Sequence, residues 1–301
     1  KPAPTTPLTT RRFGELIANV LPAGLVNILA DKNDLGDKIT THKGISKISF
    51  TGSTATGARV MASAASTLKR VTLELGGNDA GIVMDDVDVE AVAPQIFDGA
   101  FGNNGQICIA MKRVYAHESI YDKLVDQLAE LAEQAAVGNG LEQGTKLGPL
   151  QNKMQFEKVK GFIEEGRADG TIVAGGDVPD GKGYFIPPTI VKDIGDDSRL
   201  VREEQFGPVL PVIKYDDIDD VIEKANDTDY GLGGSVWSSD IDRAYDVAKK
   251  VDSGTIWVNK HADIQPHVPF GGIKTSGIGA ELGEEGLAEF TARKVINVAK
   301  A

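Results

Sequence analysis

Two side chains in this 301-residue chain have types and settings suited to acyl chemistry. Cys108, the one cysteine, closes the run Gly102-Asn103-Asn104-Gly105-Gln106-Ile107-Cys108. A thiolate is a strong nucleophile. Glycines ahead of it let the backbone approach a substrate, Asn and Gln offer donors, and backbone N–H groups at a turn can hold a developing oxyanion. A lone cysteine is more often an inert small hydrophobe; the context is what points to chemistry. Glu74 lies between Leu73 and Leu75 at the end of a β-rich run, just before Gly76-Gly77. An apolar setting raises a carboxyl toward a usable general base, whereas a solvated or salt-bridged strand end is the plainer alternative. The carboxyl ends of parallel strands are also where ligands bind in open α/β sheets.

The turn Phe50-Thr51-Gly52-Ser53-Thr54-Ala55-Thr56-Gly57 joins a strand to a helix. As a P-loop it fails, because Ala58 stands where the lysine belongs. As a dinucleotide fingerprint it lacks one glycine, yet free N–H groups at a helix start suit a diphosphate. His42, His117, His261 and His267 show no metal-ligand spacing. His267, before Pro269-Phe270-Gly271-Gly272, reads as a hydrogen-bonded loop residue or a pocket wall. The acidic runs Asp85-Asp86-Val87-Asp88 and Asp216-Asp217-Ile218-Asp219-Asp220 lack the calcium-loop pattern and read as helix N-caps.

The elements that must position these groups alternate. Thr9 to Asn19 reads as a helix capped by Thr9 or Thr10. Strands are expected at Lys47–Phe50, Arg70–Leu75, Ala80–Met84, Lys112–Ala116, Thr171–Val173, Val209–Tyr215, Gly233–Trp237 and Thr255–Val258, with a final apolar strand at Val295–Val298. Helices at Ala55–Ala65, after Asp88, through Ile120–Ala135, around Phe156–Ile163, and at Ile218–Ala225 and Ile241–Lys250 separate most of them. Phe101–Cys108 is too rich in Gly and Asn to stay helical. The class is α/β with mostly parallel strands.

Composition narrows the function. Hydrophobic residues are 41% and charged residues 25%, as in an ordinary globular protein. The net charge of −12 argues against a nucleic-acid surface and against anionic lipid. One cysteine excludes a disulfide framework and a multi-cysteine zinc site. No apolar run approaches a bilayer span, and no signal pattern opens the chain, so a cytoplasmic home is the default expectation.

Five segments together resemble the aldehyde dehydrogenase superfamily. They are Phe50-Thr51-Gly52-Ser53, Leu73-Glu74-Leu75-Gly76-Gly77, Gly105-Gln106-Ile107-Cys108, Glu203-Glu204-Gln205-Phe206-Gly207-Pro208-Val209, and Pro269-Phe270-Gly271-Gly272-Ile273-Lys274 with Ser276-Gly277. They occur in the family's order, and the separation of Glu74 from Cys108 fits its spacing. The resemblance implies Rossmann-type parallel sheets with helices on both faces. It implies that residues 1–76 are the second half of a cofactor domain, 77–275 a catalytic domain, and 276–301 a return carrying an oligomerisation strand at Val295–Val298. It implies NAD as cofactor, with NADP left open because Pro4 stands where many NAD-preferring members carry a ribose-binding Glu. Cys108 would be the nucleophile and Glu74 the base that deacylates its thioester. Lys1 and Glu204 would hold the two riboses, Gly52 and Ser53 the diphosphate, and Thr51, Leu75, Gly76 and Phe206 the nicotinamide, with Gln155 reaching its ribose. Ile107, Ile109 and Phe270 would shape the channel for a small-molecule aldehyde, and apolar walls favour a hydrophobic one. The family's habit implies a homodimer or homotetramer and no metal.

There are two departures. Asn78-Asp79 replaces the family's usual lysine after the two glycines, which alters local charge. Family members are also longer, and the chain starts where their cofactor domain is half complete. The resemblance therefore implies a missing front, including the Asn that supplies a second oxyanion donor. It implies that these 301 residues alone have little or no dehydrogenase activity, although the parent enzyme is active. The competing readings are a coenzyme-A-acylating member, which Glu74 argues against, a non-enzymatic product serving only oligomer assembly, and a cysteine hydrolase, which needs a histidine beside Cys108.

Overall fold

The computed structural model describes residues 1–300. They fall into two compact units, one made of Lys1–Phe50 and Ala55–Val71, the other of Thr51–Thr54 and the chain from Thr72 onward. The first unit holds α1 (Leu8–Ile17), α2 (Gly36–Thr41), β1 (Lys47–Thr51), α3 (Thr54–Ala65) and the start of β2 (Arg70–Glu74). Helix α1 begins at Leu8 behind Pro7, which occupies the cap position with no side-chain bond. The expected cap at Thr9 or Thr10 is therefore overturned, and the helix ends at Ile17 rather than Asn19. Proline's restricted φ starts the turn before a threonine can cap it. Helix α3 buries Gly57, Val60 and Ala64, one stripe at helical spacing.

The second unit is a seven-stranded sheet between helices. Its elements are β3 (Asp79–Val83), α4 (Val89–Phe101), β4 (Met111–His117), α5 (Tyr121–Gln134), α6 (Lys153–Asp169), β5 (Thr171–Ala174), β6 (Thr189–Lys192), α7 (Arg199–Arg202), β7 (Val209–Tyr215), α8 (Ile218–Asn226), β8 (Gly233–Trp237), α9 (Ile241–Ala248), β9 (Thr255–Val258), β10 (Gly277–Ile278) and α10 (Gly283–Ala288). The order across the sheet is β5-β6-β7-β4-β3-β8-β9. Every neighbouring pair is parallel except β5 with β6.

Both faces are covered, so the central strands are apolar on both sides. On one face Val83, Val114, Ala116 and Val212 pack with Ile96 and Phe97 of α4 and Leu124 and Leu128 of α5. On the other, Ile82, Met84, Tyr115 and Ile213 pack with Phe162 of α6, Val221 of α8 and Val247 of α9. The alternation of Ile82 with Val83, and of Val114 with Tyr115, is the strand period read through two cores. Asp88 caps α4 through the Glu90 N–H, and Asp217 caps α8 through those of Asp219 and Asp220, as the acidic runs suggested.

One further expectation fails within the single chain. Val295–Val298 forms no strand; Val295, Ile296 and Val298 are exposed with no neighbouring strand to complete a ladder. The Cys108 side of the candidate site gathers at the opposite ends of the large sheet's strands. Gly77-Asn78 enters β3, Cys108–Ala110 enters β4, Glu204–Pro208 enters β7 and Gly231-Leu232 enters β8. Because these strands are parallel, all four entrances meet at the amino edge of the sheet. Only Glu74, closing β2, lies at a carboxyl end.

Phe162 is fully buried between α6 and the sheet. Phe162→Ala is expected to cost about 3–5 kcal/mol of unfolding free energy, read as a lower denaturant midpoint at unchanged slope.

Candidate active site

Glu74 is presented by a short antiparallel pairing in which Gly277 faces Glu74 and Ile278 faces Leu73. Gly277 has φ +153, and a Cβ there would collide with the Leu73 carbonyl. Ser276 locks the next residues: its carbonyl accepts from the Leu75 N–H (2.9 Å), and its hydroxyl donates to the Gly76 carbonyl (2.6 Å) and accepts from the Gly231 N–H (2.9 Å). The carboxyl itself is 3% exposed, and neither oxygen has a protein hydrogen-bond partner. Burial, with Glu281 adding a like charge, pushes its pKa up to about 8. This is the profile of a group poised to exchange a proton with something small.

The run before Cys108 leaves α4 through a single 3₁₀ turn, Gly102–Gly105. Asn103 and Asn104 take left-handed conformations with φ 49 and 58. Gly105, at φ +71, lies against the Gly207 backbone where any Cβ would clash. The Asn and Gln side chains hold the loop together: Asn104 donates to Gly148 O (2.9 Å), and Gln106 donates to Asn103 O (3.1 Å) and accepts from the Gln151 N–H (2.8 Å). The half-buried Cys108 packs against a cluster of Ile109, Leu232 and Trp257, which Ile107, Ala262 and Phe270 also join. The structure thus brings together the three residues expected to shape a substrate channel and the thiol, although Ile109 is buried in that cluster rather than half open.

The backbones of Gly77 and Cys108 lie against each other. A Cβ on Gly77 would lie 2.6 Å from the Cys108 carbonyl oxygen, so only glycine permits this contact. Beside it, Glu204 Oε1 accepts from the Gly77 N–H (3.1 Å), and a Cβ on Gly76 would strike Glu204 Oε2. Gln205 is buried and donates to Lys112 O (2.8 Å) and Val209 O (2.7 Å). Phe206 takes φ 48, a costly conformation for an aromatic residue. Gln155 holds it there, donating to the carbonyls of Gln205 (2.8 Å) and Phe206 (3.0 Å). The amide nitrogen of Gln155 is therefore committed to this loop.

Thr51, Gly52 and Ser53 are exposed, and the Gly52 N–H donates to Glu74 O (3.0 Å). Helix α3 follows them directly and carries no acidic residue in its first turn. Lys1 belongs to the other unit, where its ammonium lies 2.7 Å from Asp31 and holds that carboxyl below its usual range.

Sequence reasoning missed three polar groups behind the thiol. Lys112 is buried and donates to the carbonyls of Ile107 (3.0 Å), Cys108 (2.7 Å) and Ala110 (3.1 Å). His261 contacts the Ile109 carbonyl through Nε2 (2.7 Å) and Ser235 Oγ through Nδ1 (3.1 Å). With both nitrogens engaged and burial lowering its pKa to about 4, it is a neutral imidazole occupied elsewhere, not a partner for the thiol. Asp79 is buried, accepts from the Gly233 N–H (3.1 Å), and is pushed up to about 7 by burial. Two adjacent basic residues, Lys112 and Arg113, inside a buried strand were the signal available. Asn78 is scaffold: it donates to the carbonyls of Val201 and Arg202. Among the described residues no cluster of His, Cys, Asp and Glu could hold a metal ion, and no helix is long and apolar enough to cross a membrane.

A family model described as "Aldehyde dehydrogenase family" matches residues 1–296. A mitochondrial aldehyde dehydrogenase of Leishmania tarentolae is 45% identical over 99% of this chain and 61% of its own length. The NAD+ complex of a Bacillus cereus aldehyde dehydrogenase superposes with TM-score 0.92 at 41% identity, covering 95% of this chain and 59% of that one. A Mycobacterium tuberculosis aldehyde dehydrogenase complexed with NAD+ gives TM-score 0.93 at 38% identity, over 96% and 60%. The chain spans about 60% of the length of the curated relatives it matches.

The raised pKa of Glu74 has a stability signature. The folded chain keeps the Glu74 proton above the ordinary carboxyl range, so stability falls as pH rises from the model-peptide value of 4.5 to about 8 and is level beyond it. Glu74→Gln is expected to flatten that fall, read from urea midpoints of parent and variant at several pH values across the window.

Proposed function

The chain belongs to the aldehyde dehydrogenase family, and on that footing we propose that the protein oxidises an aldehyde to a carboxylic acid, with Cys108 as nucleophile and Glu74 as general base. The observation that carries the reading is Glu74 itself: a buried carboxyl with neither oxygen bonded to protein and a pKa near 8, three residues ahead of Gly77, whose backbone lies against the Cys108 carbonyl.

The residues present fit a nicotinamide cofactor, and the relatives complexed with NAD+ support NAD. Gly76 leaves room that a Cβ would fill against Glu204, and the exposed Thr51–Ser53 turn opens α3 with no acidic residue to repel a diphosphate. Gly52 and Ser53 would hold the diphosphate, Glu204 a ribose, and Thr51, Leu75, Gly76 and Phe206 the nicotinamide. Gln155 serves by fixing the carbonyls of the Phe206 loop. When bound, the cofactor supplies a hydride acceptor.

The chain's own residues do the rest. The Cys108 thiol gives its proton to solvent water, and its sulfur attacks the aldehyde carbonyl carbon. The backbone N–H of Cys108 stabilises the oxyanion of the resulting thiohemiacetal. Collapse of that oxyanion releases the hydride and leaves an acyl thioester on Cys108. Glu74 takes a proton from water, the hydroxide adds to the thioester, and the C–S bond breaks to free the acid. Ile107 and Phe270 wall the approach to the sulfur, which favours an apolar aldehyde.

In the whole protein, Cys108→Ala is expected to reduce aldehyde-dependent NAD reduction to background. Glu74→Gln is expected to slow steady turnover by roughly 10²–10⁴ while still giving one burst of reduced cofactor, with the acyl group found on Cys108 by mass spectrometry. Parent turnover should rise with pH through the region near 8 as Glu74 ionises. Full turnover by the Cys108→Ala variant would refute the assignment. Acyl-coenzyme A formed on adding coenzyme A would replace water as the acceptor.

A further inference from the structure

One buried cation touches the nucleophile's segment and has no part in the steps above. The Lys112 side chain is 1% exposed, and its nitrogen meets three carbonyl oxygens, those of Ile107, Cys108 and Ala110. Carbonyls only accept. An ammonium has three N–H donors for them, whereas a neutral amine has two and would turn a lone pair on the third oxygen. Three accepting carbonyls therefore favour the charged form, and Glu204 and Asp79 support it against the burial that lowers the Lys112 pKa. The remaining carbonyl of the four, Ile109 O, also has a built partner. It can only accept from His261 Nε2–H, which leaves Nδ1 to accept from the Ser235 hydroxyl, whose oxygen in turn accepts from Trp237 Nε1–H (2.9 Å). Four successive carbonyls around Cys108 are thus each held by a side chain from the interior.

We propose that Lys112 is a positioning residue for Cys108, its ammonium gathering the carbonyls of residues 107, 108 and 110 while His261 holds 109, so that the thiol is aimed outward with a fixed positive charge behind it. The inference rests on Cys108 being the nucleophile.

The charges around the thiol are specific. Glu204 Oε1 is 3.9 Å from the Lys112 nitrogen, while Lys158 donates to the Glu204 carbonyl (2.8 Å). Asp79 Oδ2 is buried without a hydrogen-bond partner, 3.9 Å from His261 Nε2. Arg113 is turned away, donating to Asn78 O, the Tyr115 hydroxyl and the carbonyls of Lys224 and Ala225. Burial pushes the Cys108 thiol above its ordinary value; Lys112 is the strongest opposing influence, and Asp79 and Glu204 reinforce the rise. Structural support alone would make Lys112 and Asp79 equally silent in the thiol's titration. An electrostatic role moves it in opposite directions when each charge is removed.

Cys108 is the chain's single cysteine, so its alkylation by iodoacetamide can be followed by mass on the folded chain without cofactor or turnover. Lys112→Met keeps the stem and removes the charge. It is expected to raise the pH midpoint of alkylation by about one unit, roughly tenfold less thiolate at a given pH below it. Lys112→Arg, which keeps the charge, should recover most of that shift. Asp79→Asn removes a carboxylate that is ionised where the thiol titrates and should lower the midpoint. A folded Lys112→Met variant with the parent's midpoint overturns the proposal; if that variant does not fold, an unmoved Asp79→Asn midpoint does so. Turnover of Cys108→Ala separates the two layers. Activity retained there defeats the nucleophile assignment, whereas an unshifted alkylation midpoint with Cys108→Ala inactive defeats only the role of Lys112.

Discussion

The site depends on the parallel pairing of β3 with β4, and of each with its other neighbour, β8 and β7. Asp79 faces Met111 in that register, so the residues just ahead, Gly77-Asn78 and Cys108–Ala110, arrive side by side. The hydrogen-bonded ladder sets strand spacing to within a fraction of an ångström, and Gly77 exploits it by letting the Cys108 carbonyl come closer than a Cβ would allow. Gly105 against Gly207 is the same device one strand over. Glycine here is a spacing requirement between chains that the sheet has already aligned.

Placing four strand entrances together has an electrostatic cost, because each brings unpaired backbone groups to a buried edge. The chain meets it with buried side chains. Lys112 and His261 satisfy the carbonyls before β4, Asp79 the Gly233 N–H before β8, Glu204 the Gly77 N–H before β3, and Gln205 the carbonyls of Lys112 and Val209. Ions taken from water normally destabilise a fold unless their hydrogen bonds are complete. Lys112 meets that condition with three acceptors. Glu74 does not, and its raised pKa records the difference. Among the described residues Glu74 is the carboxyl with both oxygens buried and unbonded to protein, and its proposed work needs a proton to come and go.

Alternating periods, capped helices and Gly-rich turns placed every strand of the large sheet but β6, and all but the shortest helices. The acidic runs were legible as caps because an Asp accepting two residues ahead is a local geometry. Elements defined by distant partners were not. Strand β6 is four residues long and exists because β5 and β7 flank it. Val295–Val298 has strand composition but no neighbour to pair with. Cys108 and Glu74 stood out through their glycines, and Ile107, Ile109 and Phe270 share one hydrophobic cluster with Cys108.

Residue types and local spacing by themselves determined the class of fold, the nucleophile candidate, the carboxyl candidate and the family likeness, because each is written in a short contiguous run. Only the tertiary structure decided that the cluster gathers at the amino edge of the large sheet, that Gln155 braces the Phe206 loop, and that Lys112, His261 and Asp79 stand behind the thiol. Asp79 and His261 are far apart along the chain. Their charge states are set by burial and by partners from other strands, and desolvation is a property of the assembled interior that no local window of sequence contains.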